Sequence, residues 1–132
     1  MRVALGHLLD KYRRQYAGTL AWLIQRVTGI LLLFYLLLHV RTVHKLSEGP
    51  EAFNAAMALF RHPLFKLLEI ALLGTVILHA LNGIRITVID LGIGQEKQRE
   101  LFWGFTLALG ALLFLAGAVP IFLFAILKIG HG

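Results

Sequence analysis

The sequence of 132 residues is 58% hydrophobic and 15% charged, with a mean hydropathy of +0.78 and a formal net charge of +6. These values exclude an ordinary soluble domain of this length and indicate a membrane protein. Because the sequence contains no cysteine, disulfides, zinc–thiolate sites, iron–sulfur ligands and thiolate nucleophiles are excluded, and any redox centre must be held by nitrogen or oxygen atoms.

The N-terminal segment, residues 1–19, is polar and basic, and we expect it to lie at the cytoplasmic surface of a membrane. It contains four cations, Arg2, Lys11, Arg13 and Arg14. Together with the cations of the second connection they outnumber those of the first connection, so the positive-inside rule favours a cytoplasmic N-terminus. The basic residues flank apolar segments, where anionic headgroups lie, which favours lipid contact over nucleic-acid binding. No small-residue cleavage site follows a short apolar core, so we expect the first span to remain in the mature protein.

The first predicted span covers residues 20–43 and carries polar side chains towards both ends. Arg26 lies where an arginine ordinarily extends to the interface; alternatively it lines a polar pocket at the depth of Arg85 and Asp90, which return to this side. His39 lies near the far end of the span. The pattern alone favours an ordinary interfacial histidine over a metal ligand at that position.

The first connection, residues 44–63, is predicted to lie on the outer side and to contain one short amphipathic helix. Pro50 suits a first helical position, and the apolar residues up to Phe60 share one face. Pro63 is expected to close this helix.

The second predicted span, residues 64–91, places His79, Gly83, Ile86 and Asp90 along one helical face. An imidazole in hydrocarbon is costly unless it is paired or coordinated. Gly83 removes a side chain where a flat macrocycle would need room, so a haem bound through His79 fits the pattern. A hydrogen bond from His79 to a group on another helix fits the spacing equally well.

The depths of the two candidate histidines separate them. At about 1.5 Å per residue, His39 lies roughly 28 Å and His79 roughly 18 Å from the cytoplasmic side. Two axial ligands of one upright haem need nearly equal depths, so these two should not share a haem. If both bind iron, each requires an opposite histidine from another chain.

The second connection, residues 92–100, is short, so the second span and the third, residues 101–127, should be antiparallel neighbours. Pro120 is expected to kink the third span. The sequence therefore predicts an all-α membrane protein with three transmembrane helices in a single membrane domain, residues 1–132. Its intramembrane polar residues need an interior to face, which favours a partner subunit.

Three sequence motifs carry a family resemblance: Gln25-Arg26-Val27-Thr28-Gly29, then His39-Val40, then His79-x-x-Asn82-Gly83-Ile84-Arg85 with Asp90. Together they resemble the membrane-anchor cytochrome b subunit of succinate:quinone and quinol:fumarate oxidoreductases. The resemblance covers the first two spans, and the third span is generic.

The resemblance implies haem b as the cofactor, with His79 as axial ligand of an inner haem and Gly83 packed against it. His39 and the stretch after Pro50 are similar to the two-haem branch of the family, which favours two haems with His39 as the outer ligand. Arg85 and Arg41 are the candidate partners of the haem propionates.

For quinone, the resemblance implies a site at the cytoplasmic interface built from Arg26, with Trp22 nearby and Asp90 as a proton-handling group. Two departures limit the transfer of the family's site. The one-haem branch has a serine where this chain has Trp22, and a histidine where it has Ile86.

The resemblance also implies partners: a second membrane-anchor subunit, an iron–sulfur subunit and a flavoprotein subunit, on a bacterial or archaeal cytoplasmic membrane. No residue of this chain would then perform the succinate chemistry. Two alternatives stay open at this point. One is a haem-free transporter or assembly subunit with a polar path at Arg26, Arg85 and Asp90, and the other is a purely structural anchor.

Overall fold

The computed structural model describes residues 2–126, and that range contains helices and their connections without a β-strand. The first three helices are α1 (Arg2–His44), α2 (Pro50–Phe60) and α3 (Pro63–Asp90). A fourth, which we call α4, covers residues 98–126 in consecutive segments: α-helical at Gln98–Glu100, π-helical at Leu101–Leu109, α-helical at Gly110–Pro120 and π-helical at Ile121–Ile126.

Three helices are long and apolar enough to cross a membrane, over Gln15–Glu48, Pro63–Asp90 and Gln95–Leu123. This confirms the prediction of an all-α protein with three transmembrane helices. The first apolar stretch extends a few residues beyond the predicted 20–43 at each end.

Helix α1 is continuous from the basic N-terminal segment through the first span, over 43 residues. At 1.5 Å per residue it is about 65 Å long, roughly twice the thickness of a hydrocarbon core of about 30 Å. The segment that we expected at the membrane surface is therefore a helical extension of the first span. The N-terminal segment therefore continues along the axis of the first span.

The first connection contains the predicted short helix with the predicted bounds, Pro50–Phe60, and proline occupies its first turn. Gly49 precedes it with a positive φ of 108°, a conformation that favours glycine. Pro63 does not close α2, which already ends at Phe60; it opens α3. His62 caps α3, because its Nδ1 accepts a hydrogen bond of 3.2 Å from the Leu64 amide.

Helix α3 lies between α1 and α4 and packs against both. The approach to α4 is close: a Cβ built on Gly117 would lie 2.6 Å from Leu73 Cδ2. The missing side chain of Gly117 therefore permits the close helix contact. At Pro120 the winding of α4 changes from α-helical to π-helical, as expected where proline removes a backbone donor.

One end of the bundle brings together the beginning of the first span, the end of α3 and the start of α4. We call it the proximal end, made of residues 15–22, 85–90 and 98–103. Its small core consists of Ala17, Ala21 and Phe102, and Phe102 is fully buried. The opposite, distal end carries α2. Most large apolar side chains of the described residues are exposed, as expected for surfaces that face lipid or partner subunits.

Candidate functional site

His79 lies in the middle of α3 and faces α1. Its Nδ1 is 3.0 Å from the Thr28 hydroxyl oxygen, and its Nε2 is 3.5 Å from the side-chain nitrogen of Gln25. The imidazole packs closely on the α1 backbone, since a Cβ built on Gly29 would lie 3.3 Å from His79 Cε1. Both ring nitrogens thus have a partner on the neighbouring helix.

The direction of the hydrogen bonds follows from the surroundings of Thr28. Its Oγ1 lies 2.6 Å from the Ile24 carbonyl oxygen, so the hydroxyl donates its single hydrogen there. The same oxygen can then only accept from His79, which places a proton on Nδ1. The imidazole is thereby held as the tautomer with a lone pair on Nε2, the atom that can bind iron.

Asn82 orients Gln25, the second partner of the imidazole. It is fully buried, and its side-chain nitrogen donates to the Ala21 carbonyl at 2.7 Å and to Gln25 Oε1 at 3.0 Å. With its oxygen occupied in this way, Gln25 presents its NH₂ group to Nε2 of His79. A chain of hydrogen bonds therefore links the Ala21 and Ile24 carbonyls of α1 through both helices, and its donors point away from the Asn82 amide in both directions.

The space beside Gly83 is occupied by the same glutamine. A Cβ built on Gly83 would lie 3.2 Å from Gln25 Nε2, so the amide fills the gap that the missing side chain leaves. We expected this gap to receive a macrocycle. A macrocycle would fit there if Gln25 gave up its bond to Asn82 and adopted another rotamer, because the obstacle is the end of a side chain and not backbone.

His39 is exposed on α1 and is not brought near His79. Its Nδ1 lies 3.3 Å from the Tyr35 hydroxyl, with the two rings stacked at 5.4 Å between centroids. Since His79 contacts α1 at Thr28, eleven positions before His39, the two histidines are separated by about 16 Å along the bundle. The geometry agrees with the expectation that they do not share a haem. Arg41 is exposed at this distal level.

A pocket of about 170 Å³ opens at the proximal end between the three long helices. It is lined by residues of α1, α3 and α4: Gly18, Ala21, Trp22, Arg85, Ile86, Ile89, Asp90 and Gln98. Two of the three residues predicted for quinone thus line one pocket. Arg26, the third, lies next to it, with its guanidinium carbon 4.1 Å from the centroid of the Trp22 ring.

Arg85 is the buried cation of this pocket, with 4% of its surface exposed. Its Nη2 donates to the Gln98 carbonyl at 3.1 Å, and its guanidinium lies 5.5 Å from the Phe102 ring centroid. Its Nε is buried without a hydrogen-bond partner among residues 2–126. From the sequence we expected Arg85 either as a propionate partner or beside a polar pocket at the depth of Arg26 and Asp90; in the structure it lines the proximal pocket with Trp22 and Asp90.

Sequence reasoning quoted Gln25, Thr28 and Asn82 as parts of motifs but assigned them no role. The structure makes them the immediate neighbours of His79 or of one another. A signal was present: each pair of polar residues, 25 with 28 and 79 with 82, is spaced by three within a predicted span. Such pairs share a face, and polar side chains in a membrane need partners.

Comparison with known proteins agrees with these motifs. Residues 3–119 match the family described as Succinate dehydrogenase/Fumarate reductase transmembrane subunit. The chain is 36% identical over 87 residues to the succinate dehydrogenase 2 membrane subunit SdhC of Mycobacterium tuberculosis, an alignment that covers 65% of this chain and 64%, just under two thirds, of that protein.

Two archaeal proteins are also similar. The succinate dehydrogenase hydrophobic membrane anchor subunit of Halobacterium salinarum is 33% identical over 108 residues, covering 81% of this chain and 82% of its own length. The succinate dehydrogenase hydrophobic membrane anchor subunit of Archaeoglobus fulgidus is 32% identical over 79 residues. The alignment covers 60% of this chain and 68% of that protein. With a family match over most of its length, this chain belongs to the succinate dehydrogenase/fumarate reductase transmembrane subunits.

Proposed function

We propose that this chain is a haem b-binding membrane anchor of a succinate:quinone oxidoreductase and forms part of its quinone site. The observation that carries the proposal is the geometry of His79, which holds a proton on Nδ1 and a lone pair on Nε2 within an apolar helix. Neutral imidazole of this kind is a common axial ligand of haem iron. When bound, a haem b supplies a centre that accepts and returns single electrons within the membrane.

The chain would hold the macrocycle with His79 alone and leave the second axial position to another subunit. Among residues 2–126 the other histidines are far from this level: His39, His44 and His62 lie in the distal half, and His7 lies near the start of α1. The described residues contain no cluster of three or more His, Asp or Glu side chains. A bis-histidine haem takes one ligand from each face of the macrocycle. The second ligand would therefore come from another chain, and a second anchor subunit is the natural partner.

The proximal pocket is suited to a quinone headgroup. The Trp22 ring supplies an apolar wall, and Arg85 and Arg26 supply cations that can donate hydrogen bonds to a carbonyl oxygen. Asp90, exposed at the end of α3, can exchange protons between the pocket and water. Arg85 is six residues from His79, about 9 Å along the helix, so quinone and His79 would lie on adjacent levels.

The soluble subunits would dock at the proximal end. The basic extension of α1 projects there beyond the first span, and the positive-inside rule favours the cytoplasm for that side. An iron–sulfur subunit on this face would deliver the electrons of succinate, taken up by a flavoprotein subunit, to the quinone pocket. We place the complex in the cytoplasmic membrane of a bacterium or archaeon, because the relatives come from both groups.

A reduced-minus-oxidised spectrum of the purified complex tests the haem assignment. We expect the sharp α-band of a bis-histidine b-type haem, together with succinate-dependent quinone reduction. A spectrum without such a band would contradict the proposal and would favour a haem-free anchor or transporter. Quinone reduction measured on the same sample separates these two, because a transporter would have none.

The haem count tests His39. We predict two b-type haems per complex, and His39→Ala should remove one of them while the signal of the other is unchanged. The ratio of extracted haem to protein, combined with a redox titration, measures both. His44→Ala is the matched control, since His44 is also exposed at the distal end and contacts only the Ser47 hydroxyl and its own turn. A wild-type ratio of one would remove His39 from the ligands.

A further inference from the structure

We propose that Thr28 is a positioning residue for His79, fixing the orientation of the imidazole and strengthening Nε2 as a ligand. The inference rests on the proposed function, since it concerns the haem that His79 would bind. It goes further by assigning a role to a side chain that does not touch the iron. The juxtaposition that supports it is Nδ1 of His79 at 3.0 Å from Thr28 Oγ1, backed by the Ile24 carbonyl at 2.6 Å.

The Thr28 hydroxyl is itself rigidly held. Threonine is β-branched, so its χ1 angle in a helix is restricted, and a bond to the carbonyl four residues earlier selects one rotamer. Only 7% of the residue is exposed, so water does not compete for the oxygen. Gly29, the next residue, lets the imidazole lie directly against α1. The acceptor is therefore in place before any ligand binds.

Such a fixed acceptor has a chemical consequence. A ligating histidine that donates its second N–H to an acceptor keeps one tautomer and one ring plane, and its ligating nitrogen becomes more basic. A more basic ligand stabilises ferric iron more than ferrous iron. Removing the acceptor should therefore raise the midpoint potential of the inner haem and loosen the orientation of the ring.

The experiment compares three variants in the whole membrane complex. Thr28→Val keeps the size and branching of the side chain but removes the hydroxyl, and Thr28→Ser keeps the hydroxyl. Thr19→Val is the matched control, because Thr19 makes the same bond to a carbonyl four residues earlier, Gln15 at 3.0 Å, on an exposed face of the same helix. The readouts are haem content, the midpoint potential and the highest g value of the ferric haem.

We expect Thr28→Val to change the ferric-to-ferrous preference by about tenfold, which corresponds to an increase of about 59 mV for one electron, with a shifted g value. Thr28→Ser and Thr19→Val should stay close to wild type.

If Thr28→Val binds no haem, retention of haem by Thr28→Ser supports the role of the hydroxyl, and loss of haem in both variants overturns it. An unchanged potential and g value in Thr28→Val also overturns it. A wild-type complex without haem would instead refute the proposed function.

Discussion

Replacing His79 with alanine is expected to remove the inner haem from the assembled complex. Among residues 2–126, His79 is the only histidine at that level, so the proposed axial ligand is then lost, and a methyl group cannot coordinate iron. The reduced α-band of the inner haem should fall to background, while a second haem at the distal level keeps its own signal. The measurement is the reduced-minus-oxidised spectrum of purified complex, normalised to the amount of protein.

The same substitution has a structural cost that must be separated from the loss of a ligand. It leaves the Thr28 hydroxyl and the Gln25 amide without the partners that they contact at 3.0 and 3.5 Å. We expect about 1–3 kcal/mol of destabilisation from these unpaired groups. Copurification of the soluble subunits reports whether the chain still inserts and assembles.

His62→Ala is the control for His79→Ala. His62 is an exposed cap at the distal start of α3, and its loss costs only about 1 kcal/mol, so haem content should be unchanged. Full haem content in assembled His79→Ala complex would refute the ligand assignment.

Replacing Arg26 with alanine is expected to lower kcat/KM for quinone by about tenfold to a hundredfold with haem content unchanged. The guanidinium stacks on Trp22, which lines the proximal pocket, and in the proposed site it would donate a hydrogen bond to a quinone carbonyl. Loss of one hydrogen bond from a charged donor costs about 1.5–3 kcal/mol, and each 1.4 kcal/mol is a factor of ten. The assay is succinate-dependent quinone reduction by the purified complex.

Two comparisons make the Arg26 result specific. Succinate oxidation with a water-soluble acceptor that takes electrons from the soluble subunits should proceed at the wild-type rate. Arg61→Ala, which removes an exposed cation at the distal end, should leave quinone reduction intact. Wild-type quinone reduction by Arg26→Ala would show that the quinone reacts elsewhere, for example near the outer face.

The proximal pocket shows how far sequence reasoning can reach. Arg26 and Asp90 were expected at the same depth because the second span returns to the side where the first begins, and this argument needs only helix lengths. The structure does bring Trp22 and Asp90 to one pocket with Arg26 beside it. Arg85 was expected at the same depth, but its burial against the carbonyl of Gln98 at the start of α4 depends on the rotation of α3, which hydropathy does not report.

The contacts of His79 could not be predicted from the sequence. The sequence offered a haem ligand or a helix-to-helix hydrogen bond as alternatives for His79, and named Thr28 only as part of a motif. In the structure Thr28 contacts His79, and Gln25 fills the gap at Gly83. The hydrogen bond is therefore present. It is compatible with the proposed iron ligation, because it uses Nδ1 of the ring and the proposal uses Nε2.

By itself the sequence determined the three spans, the short helix from Pro50 to Phe60 and the different depths of the two candidate histidines. These features depend on hydrophobic run length, on proline chemistry and on the constant rise of a helix, all of which are local. Only the tertiary structure decided that α1 continues through its N-terminal segment and that Gln25, Thr28 and Asn82 surround or orient His79. Helix periodicity specifies which residues share a face. The axial offset and rotation between two helices come from side-chain packing, and they decide which faces meet.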